Sequence, residues 1–258
     1  MKTALITGAS SGIGYELAKI HAAKGGDLVL VARNKAKLDE LKVELEKQFN
    51  VSVYTIGKDL SIVDAALEVY KETSEKEIQI DYLINNAGFG DFGMFSETEW
   101  EKECQMINLN ITALTQFTKL YLKDMLKRKS GKIMNVASTA AFVPGPTMAV
   151  YCATKPYVLS FSEAVDNEVR EFGVTVTALC PGATESGFMK AASAENSSLF
   201  KGKKLPSSKE VAEFGYNAML NGKAVAIHGF VNQALAFFVR LMPRKLVVAV
   251  SRKVIGGN

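Results

Sequence analysis

Short apolar runs alternate along this chain with longer segments whose apolar residues recur at helical spacing. The runs at 3–7, 28–32, 51–55, 82–85, 132–136, 175–179 and 224–227 predict seven strands. Between them, segments such as 36–49 and 65–75 place apolar side chains every three or four positions among charged ones, which predicts helices. Strands that alternate with helices indicate βαβ units. The sequence therefore predicts a single doubly wound α/β domain over 1–258, with helices on both faces of a mostly parallel sheet.

The first predicted strand runs into a glycine-rich turn, Thr7-Gly8-Ala9-Ser10-Ser11-Gly12-Ile13-Gly14, and a helix is expected from about Ile13. Such a turn lets the backbone approach a pyrophosphate, whose charge then lies against the N-terminus of the helix. The spacing differs from the commoner G-x-G-x-x-G. Taken alone, this turn is also compatible with a tight corner that binds nothing.

The second predicted strand ends in a cation where many dinucleotide sites have an acid. Its last residues are Val31-Ala32-Arg33-Asn34, with no carboxylate at the tip. A guanidinium suits the 2′-phosphate of NADP(H), because its fork of donors matches phosphate oxygens. NADP(H) is therefore the preferred cofactor. NAD(H) stays the alternative if Arg33 is only a solvent-facing side chain.

A tyrosine and a lysine four residues apart form a candidate proton-transfer pair. Tyr151 and Lys155 share one face of a predicted helix. An ammonium beside a phenol favours the phenolate, so we expect Lys155 to lower the pKa of Tyr151. Ser138 ends another predicted strand, at the edge of the sheet where open α/β folds bind ligands. Alone, the Tyr-x-x-x-Lys spacing also fits an ordinary surface pair.

In this order and at these spacings, the motifs resemble the short-chain dehydrogenase/reductase family along most of the chain. The glycine turn is similar to the cofactor loop of the family, Asp59-Leu60 to its adenine-contacting pair, and Asn86-Ala87-Gly88 to its Asn-Ala-Gly signature. Ser138 and the Tyr-x-x-x-Lys pair match its catalytic residues, and Pro181-Gly182 matches its turn beside the nicotinamide. The resemblance implies a Rossmann-type fold.

The resemblance also implies a mechanism. Tyr151 exchanges a proton with the substrate oxygen, Lys155 holds the nicotinamide ribose, and Ser138 donates a hydrogen bond to the reacting oxygen. An asparagine supports a water relay behind the lysine, and we choose Asn110 over Asn108 because its distance to Ser138 fits the family without a gap. The predicted catalytic residues are Asn110, Ser138, Tyr151 and Lys155. The predicted cofactor-binding residues are Gly8, Ser10, Ser11, Gly12, Ile13, Gly14, Arg33, Asn34, Asp59, Leu60, Asn86, Ala87, Gly88, Tyr151, Lys155, Pro181, Gly182, Thr184 and Ser186.

Two departures from the pattern of the family affect these expectations. Pro156 follows Lys155 directly, and proline is unfavourable in a helix beyond its first turn. We therefore expect either a helix that begins shortly before Tyr151 or a local kink. Ser10-Ser11 lacks the basic residue that some NADP-using relatives carry in this loop, which leaves Arg33 as the main discriminator between cofactors.

The segment 183–206 is rich in small and polar residues and is a candidate substrate lid, as in the family. Within it, Thr184 and Ser186 are expected beside the carboxamide of the cofactor. Five apolar side chains either line a substrate pocket or pack in the core: Phe89, Phe142, Met148, Phe188 and Met189.

Composition narrows the class of protein. The 258 residues are 48% hydrophobic and 22% charged, with no run of 18 apolar residues and no signal-like start. Cys104, Cys152 and Cys180 show neither disulfide nor metal spacing, which is typical of reduced thiols. We expect a cytoplasmic protein with no metal site and no nucleic-acid partner.

The C-terminal part is basic and amphipathic. Residues 201–258 hold ten Lys or Arg against two Glu, a local balance of +8 within a net charge of +4. Over 231–258, two apolar stripes flank Pro243: Leu235, Phe238, Val239 and Met242, then Leu246, Val247, Val250 and Val254. Packing on its own subunit or on a neighbour is the preferred interpretation of this tail, and an anionic membrane surface is the alternative.

The leading functional interpretation is an NADP(H)-dependent oxidoreductase that transfers hydride between nicotinamide and a small-molecule carbonyl or secondary alcohol. One alternative is a catalytically idle dinucleotide-binding sensor or scaffold, which would not need Ser138, Tyr151 and Lys155 together. A further alternative is a membrane-surface or partner-binding module that acts through the tail. The resemblance implies a homodimer or homotetramer, formed through residues 97–129 and the helix after Tyr151.

Overall fold

One parallel sheet lies at the centre of the computed structural model, which describes residues 1–185 and 205–256. Its strands lie in the order β3-β2-β1-β4-β5-β6-β7, and each neighbouring pair is parallel. The strands are β1 Thr3–Thr7, β2 Asp27–Ala32, β3 Val53–Gly57, β4 Tyr82–Asn85, β5 Gly131–Val136, β6 Val174–Cys180 and β7 Val225–Ile227. The predicted doubly wound Rossmann-type α/β fold is confirmed.

Helices cover both faces of this sheet. The first face carries α1 Gly12–Ala23, α2 Lys35–Phe49 and α7 Ser208–Leu220. The opposite face carries α3 Ala65–Glu75, α5 Leu114–Arg128 and α6 Ala149–Val169. The remaining helices are α4 Trp100–Ile107, α8 Phe230–Phe238 and α9 Arg244–Gly256. In the part of the chain that the structure describes, none of the helices combines the length and the apolar character needed to cross a membrane.

The central strands are apolar on both sides because each face of the sheet is covered. In β1, Ala4 and Ile6 pack with the helices of one face, whereas Leu5 packs with those of the other. All three side chains are fully buried. Each fully buried Leu or Ile contributes about 1.5–3 kcal/mol of hydrophobic stabilisation. Continuous apolar runs gain this stabilisation at every position only when both faces of the strand are covered, as in a parallel sheet with helices on both sides.

The predicted limits of the third strand were wrong by two residues. The strand occupies Val53–Gly57 rather than 51–55. Helix α2 ends at Phe49, and the next residue, Asn50, has a φ of 52°, in the left-handed region. The next residues turn back towards the sheet, where the N–H of Ser52 donates to the carboxylate of Asp27 at 2.8 Å. Val53 is the first residue to pair with β2, opposite Leu28.

Helix α6 meets the first of the two expectations for Pro156. It begins at Ala149, two residues before Tyr151, and continues for 21 residues with Pro156 inside it. Proline has no N–H to donate to the carbonyl of Cys152, four residues earlier. The helix nevertheless keeps Tyr151 and Lys155 on one face, because they are one turn apart.

Candidate active site

The glycine turn after β1 is fixed by hydrogen bonds to the loop after β4. The hydroxyl of Thr7 accepts from the N–H groups of Asn86 at 3.0 Å and Ala87 at 2.9 Å. In return, the Asn86 side-chain amide donates to the carbonyl of Thr7 at 2.9 Å. Gly8 has a φ of 67°, and a Cβ there would lie 2.9 Å from the Cα of Ala87. Glycine is therefore required at this position by both its backbone angle and its neighbours.

The N-terminus of α1 is suited to an anion. The side chain of Ser11, the residue before the helix, makes no capping hydrogen bond, and the first turn of α1 contains no acid. Helix N-termini carry unpaired N–H groups and a partial positive charge, which favour phosphate. A Cβ on Gly14 would lie 2.4 Å from the carbonyl oxygen of Gly8, so the turn folds tightly onto the helix. These residues fit the pyrophosphate of a dinucleotide.

Two cations lie where β2 and β3 end. Arg33 is exposed and lines the cleft described below. Asn34 also lines it, but its side chain caps α2 by accepting from the N–H of Lys37 at 3.1 Å. Lys58 lines the same region and forms an ion pair with Glu68. Sequence reasoning missed Lys58, although a cation directly before Asp59-Leu60 is the signal that points to it.

The predicted adenine-contacting pair is rigidly placed. The carboxylate of Asp59 accepts from the N–H of Ser61 at 2.9 Å and from its hydroxyl at 2.7 Å. Leu60 is buried, with 4% of its surface exposed. Both residues line the cleft, next to the end of β3.

Ser138, Tyr151 and Lys155 converge where β5 ends and α6 begins. The ammonium of Lys155 lies 5.5 Å from the ring centroid of Tyr151 and donates to the carbonyl of Val136 at 3.0 Å. The hydroxyl of Ser138 hydrogen-bonds with Tyr151. It also accepts from the N–H of Ala140 at 3.1 Å, which caps a short 3-10 turn. The Tyr-x-x-x-Lys spacing thus brings the phenol of Tyr151 and the amine of Lys155 together in the structure.

The expected lowering of the pKa of Tyr151 does not occur in this structure. Burial raises the pKa of Tyr151 above its ordinary value, and the hydrogen bond with Ser138 opposes this only in part. Burial also lowers the pKa of Lys155 to about 8. Both side chains are almost fully buried, so desolvation disfavours the phenolate and the ammonium alike. The protein alone therefore holds Tyr151 as a neutral phenol.

Asn110 lies behind this group rather than on the cleft wall. Its side chain accepts from the N–H of Phe89 at 3.2 Å, and donates to the carbonyl of Phe89 at 3.0 Å and to the hydroxyl of Thr154 at 3.2 Å. Thr154 in turn donates to the carbonyl of Tyr151 at 2.8 Å. Asn110 is only 1% exposed, whereas Asn108 is partly exposed. Sequence reasoning did not foresee that residues 108–113 form a π-helical turn, a feature frequent at functional sites.

The turn after β6 joins the site to the C-terminal helices. The carbonyl of Pro181 accepts from the N–H of Thr139 at 2.8 Å and from the hydroxyl of Ser138 at 3.4 Å. A Cβ on Gly182 would lie 2.6 Å from the side-chain nitrogen of Asn232 in α8. Thr184 is buried and donates to the carbonyl of Gly182 at 3.0 Å. Helix α8 therefore packs directly on this turn.

One cleft of about 1180 Å³ connects these groups at the carboxyl ends of the strands. All the predicted site residues that the structure describes line it except Gly14 and Asn110, which are buried beneath its wall. Ser186, Phe188 and Met189 lie outside the described residues, as does 186–204 of the predicted lid. Among the candidate pocket residues, Phe89 and Met148 line the cleft and Phe142 packs against a core cluster.

The tail forms the far wall of the same cleft. Its apolar side chains that face inwards are Val231, Leu235, Phe238, Val239, Met242, Val247, Val250, Val254 and Ile255. All four residues of the first predicted stripe belong to this wall. One side of α8 and α9 therefore lines the cleft of its own chain.

Comparison with known proteins places these residues in a family. The sequence profile described as short chain dehydrogenase matches residues 2–197. The chain belongs to the short-chain dehydrogenase family. It is an oxidoreductase family that binds a nicotinamide dinucleotide and acts on CH–OH or C=O groups.

A curated relative and two solved structures extend the comparison. The very-long-chain 3-oxoacyl-CoA reductase of Laccaria bicolor is 35% identical over 175 residues, 67% of this chain and 52% of that protein. The chain thus spans about half the length of that relative. A short-chain dehydrogenase from Sphingobium yanoikuyae in complex with NADPH is 31% identical, with a TM-score of 0.84 over 93% of this chain and 94% of that one. A bulky-bulky ketone specific alcohol dehydrogenase from Comamonas testosteroni is 28% identical, with a TM-score of 0.79 over 95% and 96% of the two chains.

Proposed function

We propose that this protein is an NADP(H)-dependent oxidoreductase that interconverts a carbonyl and a secondary alcohol on a bulky apolar substrate. The observation that carries the proposal is the convergence of Ser138, Tyr151 and Lys155 on the cleft that also contains the glycine turn. The glycine turn would hold a nicotinamide dinucleotide, which would supply the hydride chemistry. The side chains of the protein bind, orient and supply the proton.

Tyr151 is the proton donor in the reductive direction. Burial keeps its phenol neutral, which is the form that can give a proton to the oxygen of a carbonyl. The hydroxyl of Ser138, hydrogen-bonded to Tyr151, is near enough to donate to the same oxygen as negative charge develops on it. When the proton leaves, the ammonium of Lys155, 5.5 Å from the ring, stabilises the resulting phenolate.

Two positively charged side chains support the preference for NADP(H). Arg33 and Lys58 lie at the ends of adjacent strands and line the cleft. The carboxylate of Asp59 is held by Ser61. A 2′-phosphate on the adenosine ribose would meet the guanidinium of Arg33, whose forked donors match phosphate oxygens. The related Sphingobium structure contains NADPH, which agrees with this assignment.

The apolar wall of the cleft supports a bulky substrate. Leu235, Phe238 and Met242 of the tail line the cleft together with Met148, and all four residues are apolar. Apolar area removed from water contributes about 25 cal/mol per Å² to binding before the entropic costs are subtracted. Two relatives act on large substrates according to their names, a very-long-chain 3-oxoacyl-CoA and bulky-bulky ketones.

The test is consumption of NADPH, followed by absorbance, with a panel of ketones that runs from acetone to diaryl and long-chain alkyl ketones. We expect turnover to rise with apolar size and to be slower with NADH. Binding of NADPH without turnover on any ketone or on the reverse alcohol panel would contradict the proposal and favour the idle sensor. Preference for acetone over every larger ketone would contradict the assigned substrate class.

A further inference from the structure

Helix α8 and the turn that follows it carry a second apolar face, which points away from the cleft. Phe230, Phe237 and Leu241 are 83%, 61% and 71% exposed. Phe230 and Phe237 are seven residues apart, so they lie on one side of α8. Leu241 follows in the 3-10 turn Val239–Leu241. We call these three residues the outer face, and none of them lines the cleft.

Other side chains of α8 line the cleft or are buried, whereas those of the outer face do neither. Leu235 and Phe238 face the cleft, and Ala236 is buried with 3% of its surface exposed. Single exposed apolar residues are ordinary, whereas a contiguous group of large ones marks a surface that contacts something else. The outer face includes two phenylalanines and a leucine on one short stretch of chain, which is such a group.

The charges around the outer face identify what it contacts. The exposed cations of α9 and the turn before it are Arg240, Arg244, Lys245, Arg252 and Lys253. None of the ion pairs between described residues involves any of them. No acid follows Glu213 in the sequence. A second copy joined through this face by a two-fold axis would place cations against cations. An anionic surface would neutralise them.

We propose that the outer face binds the interface of a membrane that contains anionic lipids. Amphipathic helices with aromatic and aliphatic residues on one side and Lys or Arg beside them lie in the plane of such an interface. Phe237 and Leu241 enter the boundary between headgroups and acyl chains, and Arg244 and Lys245 pair with lipid phosphates. The nine residues of α8 and thirteen of α9 are too short to cross a bilayer, so the attachment is peripheral.

The position of the outer face connects this attachment to the cleft. Val231 and Leu235 are 78% and 44% exposed at the cleft wall, on the same helix as the outer face. A bilayer against α8 therefore lies beside the apolar wall. If the proposed function is correct, an apolar substrate dissolved in the membrane reaches the site without passing through water. The membrane contact itself does not depend on that function.

Co-sedimentation of the full chain with sucrose-loaded vesicles tests the proposal without any substrate or nucleotide. One vesicle preparation is pure phosphatidylcholine, and the other contains about 30% phosphatidylserine, each in about 0.05 M and 0.5 M salt. We expect the protein to sediment with the phosphatidylserine vesicles at low salt, and the bound fraction to fall about tenfold at high salt or on pure phosphatidylcholine. Absence of binding to the anionic vesicles at low salt would overturn the proposal.

Matched variants assign the binding to this surface. Phe237→Ser with Leu241→Ser should reduce the partition coefficient at least about tenfold, since each substitution removes a large apolar group from the interface. Phe172→Ser is the control, because Phe172 is 47% exposed and lies just before β6, at the amino ends of the strands, whereas the cleft lies at their carboxyl ends. Thermal unfolding and turnover of a small water-soluble ketone check that each variant is folded.

A second pair of variants tests the charges. Arg244→Gln with Lys245→Gln should weaken binding and reduce its dependence on salt, whereas Lys123→Gln with Lys127→Gln on α5 should leave both unchanged. Equal binding by the outer-face variant and the Phe172→Ser control would contradict the proposal. Light scattering that shows fewer subunits in the outer-face variant than in the wild type would also contradict the proposal, because the outer face would then be a contact between copies.

Discussion

Replacement of Lys155 by methionine should change how the stability of this protein depends on pH. The amine of Lys155 is buried, and its burial lowers the pKa to about 8 from an ordinary value of 10.5. Below pH 8 the folded protein must bury an ammonium, which destabilises it. Between pH 8 and 10.5 the unfolded chain still holds this proton while the folded protein has lost it, so that destabilisation disappears as the pH rises.

The size of the effect follows from the two pKa values. A difference from 10.5 to 8, at about 1.4 kcal/mol for each pH unit, corresponds to about 3 kcal/mol. Methionine has a similar length and does not titrate. It loses the hydrogen bond from Lys155 to the carbonyl of Val136, worth about 1 kcal/mol at every pH. The free energy of unfolding of Lys155→Met minus that of the wild type should therefore fall by about 2–3 kcal/mol between pH 7 and pH 10.

Urea unfolding of both proteins at half-unit pH intervals, without added nucleotide, measures this difference. Cys152, whose pKa is raised by burial alone, is present in both proteins and cancels. Lys209→Met on the exposed surface of α7 is the control and should give a difference that does not change with pH. A flat difference for Lys155→Met as well would refute the account of Lys155 as a buried, destabilising charge.

Three further predictions concern the cofactor turn, the cofactor preference and the cleft wall. Gly14→Ala would place a Cβ 2.4 Å from the carbonyl oxygen of Gly8, so it should reduce the free energy of unfolding by about 1–3 kcal/mol and weaken NADPH binding. Gly256→Ala is the control, because its Cβ meets nothing nearer than 3.8 Å. Equal melting temperatures for the two variants would contradict the reasoning. Arg33→Ser should raise the KM for NADPH about tenfold or more, because a charged hydrogen bond to phosphate is lost, and should leave the KM for NADH unchanged. A parallel change in the two KM values would show that Arg33 does not bind the 2′-phosphate. Phe238→Ala should raise the KM for a diaryl ketone about tenfold and leave that for a small ketone within about twofold; steady-state kinetics that change equally for both would exclude Phe238 from the substrate wall.

Much of the fold was predictable because local and tertiary preferences agree. Continuous apolar runs such as that of β2 occur where both faces of a strand are covered, and the predicted strands lie within two residues of the observed ones. The third strand shifted because Asn50 follows α2 in the left-handed region and the N–H of Ser52 then donates to Asp27 of β2. Such bonds leave no periodic signal in the sequence.

The candidate site was predictable in its members but not in its electrostatics. The Tyr-x-x-x-Lys spacing places Tyr151 and Lys155 together, yet the sequence does not show that both are almost fully buried. Burial is what raises the pKa of Tyr151, so the expectation based on charge alone had the wrong direction. In the tail, the apolar pattern was predictable but its packing was not. Its sequence predicted two apolar stripes, but only the fold shows that most of their residues line the cleft.

The central claim is that Tyr151 supplies the proton at a site where most of the nucleotide binding comes from the glycine turn and other groups. Its most direct test is to measure NADPH affinity by fluorescence titration and turnover on the same preparation of Tyr151→Phe. Tyr157→Phe, an exposed tyrosine on the same helix, is the control. We expect the Kd for NADPH in Tyr151→Phe to stay within about threefold of the wild type while kcat falls at least about a thousandfold. Turnover of Tyr151→Phe within tenfold of the wild type would contradict the claim.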